Sequence, residues 1–222
     1  INELDQKFFI LIMSKKLFTA SIIGVGNIGL RYFQALQKID NVKLIKLYEQ
    51  DLKSLENRII SLSDKPIKEF TKSNIINEDI LESDIVIVST TSSQRYQVSK
   101  QLIELGYKGK IILEKVLSPN LKTLIKLEKL FENYNSSIHV NQWMRLTPLI
   151  KVLEKEGTNE LIVRGNRMGL LCNSVHYIDL IASFFGIDDF AIDEVNSKIL
   201  SILPSKRNGY DEIEGQLSWY SL

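Results

Sequence analysis

The sequence predicts an α/β protein, a doubly wound parallel sheet followed by a smaller α+β domain. Three observations carry this. An apolar run ending at Ile23 feeds directly into Gly24, Gly26 and Gly29, spaced Gly-x-Gly-x-x-Gly, and a helical pattern follows. A second apolar run, Val42–Tyr48, ends at the acidic Glu49, twenty residues beyond Gly29. After that, strand-like runs alternate with helix-like segments until about residue 140. That alternation implies right-handed βαβ units.

Each element has a local cause. Residues Phe18–Ile23 form the first strand, and Ile28, Tyr32, Ala35, Leu36 and Ile39 recur at helical spacing before Asp40 and Asn41. The second strand holds Leu44, Ile45 and Leu47. Leu52, Leu55, Ile59, Ile60 and Leu62 mark a helix stopped by the Ser63–Pro66 stretch, and a short strand is expected around Ile67–Phe70. Asp84–Ser89 is a β-branched run, as a strand buried on both faces requires. A helix over Gln94–Leu105 ends at Gly106; Lys110–Leu113 is a strand, Leu121–Phe131 an amphipathic helix and Ser137–Val140 a further strand. Beyond residue 145 the rhythm changes. A helix through Leu149–Leu153, a strand over Leu161–Arg164, a helix from Asn173 to Phe185 and strand-like stretches near Ile192–Leu203 and Ile213–Trp219 suggest the α+β domain.

The glycine turn between strand and helix has a mechanism. Gly24 permits the tight turn, Gly26 admits a pyrophosphate close to the backbone, and Gly29 lets the helix approach the strand. The helix start, with Asn27 and Ile28, offers free N–H donors to phosphate. Glu49 would accept hydrogen bonds from the adenosine ribose hydroxyls and repel a 2′-phosphate, favouring NAD over NADP. Thr90, Thr91 and Ser92 follow the β-branched strand, where they could touch the nicotinamide ribose or pyrophosphate; turn-forming hydroxyls are the plainer alternative.

Composition narrows the classes. Lys plus Arg number 28 against 27 Asp plus Glu, and no basic tract is interleaved with aromatics, which argues against nucleic acid. The single cysteine, Cys172, excludes an internal disulfide framework and fits a reducing, cytoplasmic setting. It is expected to be buried and inert. The apolar stretch Phe8–Met13 is far short of a membrane span. No His/Cys/Asp/Glu spacing suggests a metal. Met13 reads as a start placed just before the first strand, giving expected divisions at 1–13 (an extension outside the fold), 14–142 (nucleotide-binding domain) and 143–222 (partial substrate-binding and oligomerisation domain).

Three further blocks, read with the glycine turn, carry a family resemblance: Glu114-Lys115-Val116-Leu117-Ser118, Asn141-Gln142-Trp143-Met144-Arg145, and the run from Gly169 through Cys172, Asn173 and His176 to Leu180. Their order and spacing resemble the glucose–fructose oxidoreductase / inositol dehydrogenase (Gfo/Idh/MocA) family. The resemblance implies a Rossmann-type doubly wound parallel sheet followed by an α+β domain with an open, mostly antiparallel sheet that supports homo-oligomers. It also implies hydride transfer between NAD(H) or NADP(H) and a secondary alcohol or ketone of a sugar or sugar derivative. The form of the third block is similar to a branch associated with surface polysaccharides.

Carried over by residue, Lys115 matches the lysine of the family's Glu-Lys-Pro signature, beside the nicotinamide and the substrate hydroxyl, and the resemblance implies that Glu114 and Lys115 both contact the cofactor. His176 matches the acid/base histidine, and Asp179 usually supports the helix. Val116 stands where that signature has proline, which puts the loop's stiffness in question. Cys172 stands where many members have an aspartate partnering the acid/base. The chain stops within a strand-like stretch while family members continue, so it reads as a C-terminally truncated member. Either a non-catalytic NAD-binding sensor or assembly subunit, or an inactive gene product, is the alternative to an enzyme.

The residues add their own readings. His176 and Asp179 are i and i+3 and share a helix face, with Val175, Ile178, Ala182 and Phe185 as the apolar stripe. Asn141, Trp143, Arg145, Asn173 and Asp179 are candidate substrate contacts, with domain packing and an ordinary ion pair as the alternatives for Trp143 and Arg145. Asn166 and Arg167 are weaker candidates. His139 lies within a strand, where a structural role is expected.

Overall fold

The computed structural model describes residues 16–148, 162–165, 169–186, 189–205 and 209–221. The chain divides into two compact units, Ile1–Asn141 and Gln142–Leu222.

The first unit is a six-stranded, wholly parallel sheet in the order β3-β2-β1-β4-β5-β6. Its strands are β1 (Phe18–Ile23), β2 (Val42–Tyr48), β3 (Phe70–Ser73), β4 (Ile85–Val88), β5 (Lys110–Leu113) and β6 (Ile138–Val140). The crossovers carry α1 (Asn27–Gln37), α2 (Leu52–Ile60), α3 (Ser92–Glu104) and α4 (Leu121–Phe131). A short 3-10 helix, Glu78–Glu82, precedes β4. Period-two alternation sends neighbouring side chains to opposite faces. Ala20, Ile22 and Ile87 join Phe33, Leu36 and Leu55 in one core, while Ile23, Val86 and Val88 join Leu102, Tyr107 and Leu127 in the other. Strand order reverses between β1 and β4, the place where open α/β sheets bind ligands beyond the strands' C-terminal ends.

Helix boundaries have local causes. Asp51 accepts a hydrogen bond from the Ser54 N–H (2.9 Å) and Asn120 one from the Thr123 N–H (2.9 Å), so α2 and α4 start on capping side chains. The start of α1 has no such side chain; its cap is Gly26.

Several expectations need correction. The third strand starts at Phe70 rather than Ile67, because Gln37 Oε1 takes the N–H groups of Ile67 (3.0 Å) and Lys68 (2.7 Å) and holds that stretch off the ladder. The helix after β4 begins at Ser92, two residues earlier than expected.

In the second unit a 3-10 turn, Trp143–Leu146, precedes α5 (Leu170–Phe185), which packs on that turn and on β9. The two strand-like stretches resolve into four strands, β7 (Phe190–Ile192), β8 (Lys198–Pro204), β9 (Asp211–Gln216) and β10 (Trp219–Ser221). They form two antiparallel pairs, β7 with β10 and β8 with β9. An Asx turn at Asp193, whose carboxylate accepts from the Val195 and Asn196 N–H groups (both 3.1 Å), separates β7 from β8. Residues 162–165 form no strand. The helix expected at Leu149–Leu153, together with Asn166, Arg167 and residues 1–13, lies outside the described residues.

Candidate functional site

The glycine turn is built as its residue types require, and two of the three glycines are demanded by packing within the protein. Gly24 has φ +83°, and a Cβ there would sit 2.9 Å from the Thr90 backbone N. A Cβ at Gly29 would run into the Gly24 carbonyl, which already accepts a hydrogen bond from Ser89 Oγ (2.7 Å). Gly26 differs. Nothing in the protein lies within 4 Å of a methyl added there, so its lack of a side chain serves no internal contact.

Around this turn stand the other residues assigned to a cofactor. Glu49 Oε2 accepts the Val25 N–H (2.9 Å) and lies 3.6 Å from Arg58 Nη2. Asn27 and Ile28 are exposed on the first turn of α1. Thr90 Oγ1 is buried with no hydrogen-bond partner, an uncommon state for a buried hydroxyl. Thr91 occupies the N-cap position of α3 without a side-chain capping bond, its hydroxyl instead sharing a hydrogen bond with Ser93 Oγ (3.0 Å), and Ser92 is that helix's first residue. An open glycine, a helix start without a capping side chain, an acid at the end of β2 and an orphaned hydroxyl fit a dinucleotide. The backbone N–H groups of α1 would hold its pyrophosphate, and Glu49 the adenosine ribose.

Beyond β5, Glu114 is buried, 6% exposed. Its Oε1 accepts from the Tyr32 hydroxyl (2.5 Å) and from Asn141 Nδ2 (2.7 Å). Burial, then the hydrogen bond to Glu114 and its charge, push the Tyr32 hydroxyl far above the ordinary tyrosine range. Glu114 and Asn141 are therefore engaged with one another inside the first unit. Lys115 follows, half-buried, joined to Val116 by a cis peptide bond.

Sequence reasoning missed Arg95. It is 2% exposed, and its guanidinium donates to the carbonyls of Thr90 (Nη2, 2.6 Å) and Val116 (Nη1). The available signal was its place on the inward row of α3, with Ser99 and Leu102 at i+4 and i+7.

The second unit carries the remaining candidates. His176 is buried, and its Nδ1 lies 2.8 Å from Gln142 Oε1. An amide oxygen only accepts, so Nδ1 carries the proton in this contact. Trp143 meets the His176 ring edge-to-face at 6.0 Å and is itself half exposed. Arg145 grips Asp179 with two donors, Nε to Oδ2 (2.8 Å) and Nη2 to Oδ1. His176 and Asp179 share a face yet have different partners, since a guanidinium fork matches a carboxylate better than an imidazole does. Gln142 is the partner that the sequence did not single out.

The buried face of α5 consists of His176 and Leu180, not the expected Val175–Phe185 stripe. In a helix so uniformly apolar, periodicity leaves the inward face undecided. Asn173 is half-buried on the second turn. Cys172 is exposed, contrary to expectation; it lies on the first turn of α5, and its backbone N–H donates to Glu212. Burial raises the Glu212 carboxyl, but the N–H groups of Leu171, Ile213 and Cys172 outweigh it and hold the group below its ordinary value. Among the described residues no group of three or more His, Cys, Asp or Glu side chains could hold a metal, and no helix is long and apolar enough to cross a membrane.

Among curated proteins, none matches the chain. Several solved structures share its fold. Myo-inositol 2-dehydrogenase from Lactobacillus plantarum is 19% identical, with a TM-score of 0.60 over 80% of this chain and 59% of its own. Scyllo-inositol dehydrogenase from Lactobacillus casei, solved with bound NAD(H) and scyllo-inositol, is 16% identical, with a TM-score of 0.60 over 80% of this chain and 59% of its own. An oxidoreductase from Agrobacterium radiobacter in complex with NAD+, L-tartaric acid and magnesium is 15% identical, with a TM-score of 0.63 over 84% of this chain and 59% of its own. The chain thus spans about 59% of the length of these structures. Residues 18–142 match the Gfo/Idh/MocA family, described as an oxidoreductase family with an NAD-binding Rossmann fold. With its glycine turn, Glu49 and reversed strand order, the chain belongs to the Gfo/Idh/MocA oxidoreductase family.

Proposed function

We propose that this protein is an NAD(H)-dependent oxidoreductase acting on a secondary alcohol or ketone of a polyhydroxylated substrate, a sugar, cyclitol or sugar derivative. The observation that carries the cofactor half is the vacant approach to Gly26 beside Glu49 and the orphaned Thr90 hydroxyl. The substrate class draws support from the solved relatives, among them an inositol dehydrogenase with scyllo-inositol and an oxidoreductase with L-tartaric acid.

When bound, NAD(H) accepts or supplies the hydride. The chain's own residues then have three tasks. The first turn of α1 and Glu49 orient the dinucleotide. Lys115, at the C-terminal end of β5, takes the hydroxyl proton as the carbonyl forms and returns it in the reverse direction. His176, with Nδ1–H held by Gln142, is assigned the family's acid/base role by resemblance. Arg145 and Asp179, each engaged with the other, serve the shape of the second unit, while Trp143 and Asn173 remain candidates for substrate contact.

Calorimetric titration of the full chain with NADH and, in parallel, NADPH tests this first. Saturable binding with preference for NADH supports the cofactor assignment, and a screen of inositols and sugars follows. Failure of a folded sample to bind either dinucleotide overturns it, and binding without turnover on any polyol makes the protein a sensor or an assembly subunit. With a substrate identified, Lys115→Ala is expected to lower kcat by roughly 10²–10⁴-fold while NADH affinity is retained. Unchanged turnover would remove its assigned role.

A further inference from the structure

We infer that Arg95 is a positioning residue for Lys115: its buried guanidinium ties the loop after β4 to the loop after β5, so that the segment touching the dinucleotide and the segment bearing the proton-transfer lysine move as one. The inference rests on the functional reading above for the meaning of those two loops, though not for the clamp itself.

The geometry is specific. Both loops leave adjacent parallel strands, paired Ile85↔Lys110 through Val88↔Leu113, and ladder bonds between these strands end at the Glu114 N–H to Val88 O contact (3.1 Å). Beyond that point no ladder holds Thr90 to Val116. The Arg95 fork takes over, donating to the Thr90 carbonyl and the Val116 carbonyl from two different nitrogens. Val116 itself is 44% exposed, so its side chain is not what anchors the loop. The loop's other support comes from below, where Tyr32 and Asn141 hold Glu114. Lys115 therefore lies between two residues, Glu114 and Val116, that are each held by a partly buried hydrogen bond.

Arginine suits this task better than lysine. A planar fork satisfies two carbonyls at once in a fixed geometry, whereas a single ammonium is a point charge with mobile donors. Burying an arginine is costly unless its donors are used, and this one, 2% exposed, spends both terminal nitrogens on loop carbonyls, which fixes the two loops to one side chain. It also supplies stiffness at the loop where Val116 stands in place of a proline.

Amide hydrogen exchange on the full chain tests the clamp, reading segments 89–93 and 114–118 in the wild type, Arg95→Lys and Arg95→Gln. In the cofactor-free wild type both segments should open with one rate, and NADH should slow both. In Arg95→Lys, with an unchanged melting curve, NADH should still bind and still slow 89–93. Segment 114–118 should exchange about tenfold faster and lose its response to NADH, since local opening follows local hydrogen bonding. A general loss of stability would accelerate the strands as well, so selectivity for 114–118 separates positioning from a structural role. The inference is overturned if the two wild-type segments differ by more than about tenfold, or if Arg95→Lys keeps the NADH response at 114–118. Should Arg95→Gln fail to fold, the other two proteins decide. If NADH slows neither segment in the wild type, the cofactor reading fails, and the cofactor-free rates alone decide the clamp.

Discussion

At the scale of single residues, the glycine turn separates two requirements that a sequence pattern merges. Gly29 is required by the fold and Gly26 only by whatever approaches from outside. Gly26→Ala is therefore expected to cost less than about 1 kcal/mol, the size of an N-cap change, yet to abolish or severely weaken NADH binding. Gly29→Ala, which forces a methyl against the Gly24 carbonyl, should lower the melting temperature as well. Thermal melts paired with NADH titrations of the two variants check this; equal stability losses would show that Gly26 has an internal role.

The tyrosines give a second residue-scale expectation. Burial pushes Tyr48 and Tyr134 up to about 12, with the Asp79 charge adding to the effect at Tyr48, and burial raises Tyr32 and Tyr107 further. A raised folded-state value means the contribution is fully present below the ordinary value of 10.0 and is lost as pH rises through the folded one. The first unit should thus hold its stability to pH 10 and lose it progressively toward about 12. Ultraviolet titration of tyrosinate against circular dichroism checks the window. Ionisation of all eight tyrosines near the ordinary value, with the fold intact, would contradict the burial.

At the scale of elements, helix starts distinguish the two units. Helices α2 and α4 carry their own caps, one residue before their first turn, while α5 borrows a carboxylate from β9, forty-one residues away in sequence at Leu171. Asn120→Ala should cost about 1 kcal/mol through loss of one capping bond, measured by urea denaturation. Most strands of the sheet were legible in the sequence, because period, β-branching and turn residues act over a few positions. Glu212 capping α5 was not, nor was Gln142 as the partner of His176, since nothing near either residue encodes where another element will lie. The shift of β3 has the same origin. Gln37, thirty residues before Ile67, took the N–H groups that local propensity had assigned to a strand.

At the scale of the whole molecule, both hydrophobic cores and all six parallel strands among the described residues belong to the first unit. A fragment of residues 16–141 is expected to fold cooperatively and to bind NADH as the full chain does. Its urea unfolding curve and a calorimetric titration check this; a fragment without a cooperative transition would show that the second unit is needed for the core. The second unit is different in kind. Its sheets are two-stranded pairs with Ile199, Leu200 and Ile202 more than half exposed, and such pairs are marginal in isolation.

The sequence by itself determined the fold class and the family, because the strand, glycine-turn and helix signals are each local and the order of a few short blocks along the chain is readable from the residues alone. Only the tertiary structure decided what each side chain touches. It placed Arg95 beneath two loops, engaged Glu114 with Tyr32 and Asn141, and matched Asp179 to Arg145 instead of to His176. Those choices turn on distance and burial between segments far apart in sequence, where a guanidinium, an amide or a hydroxyl wins a partner by geometry that no local pattern records.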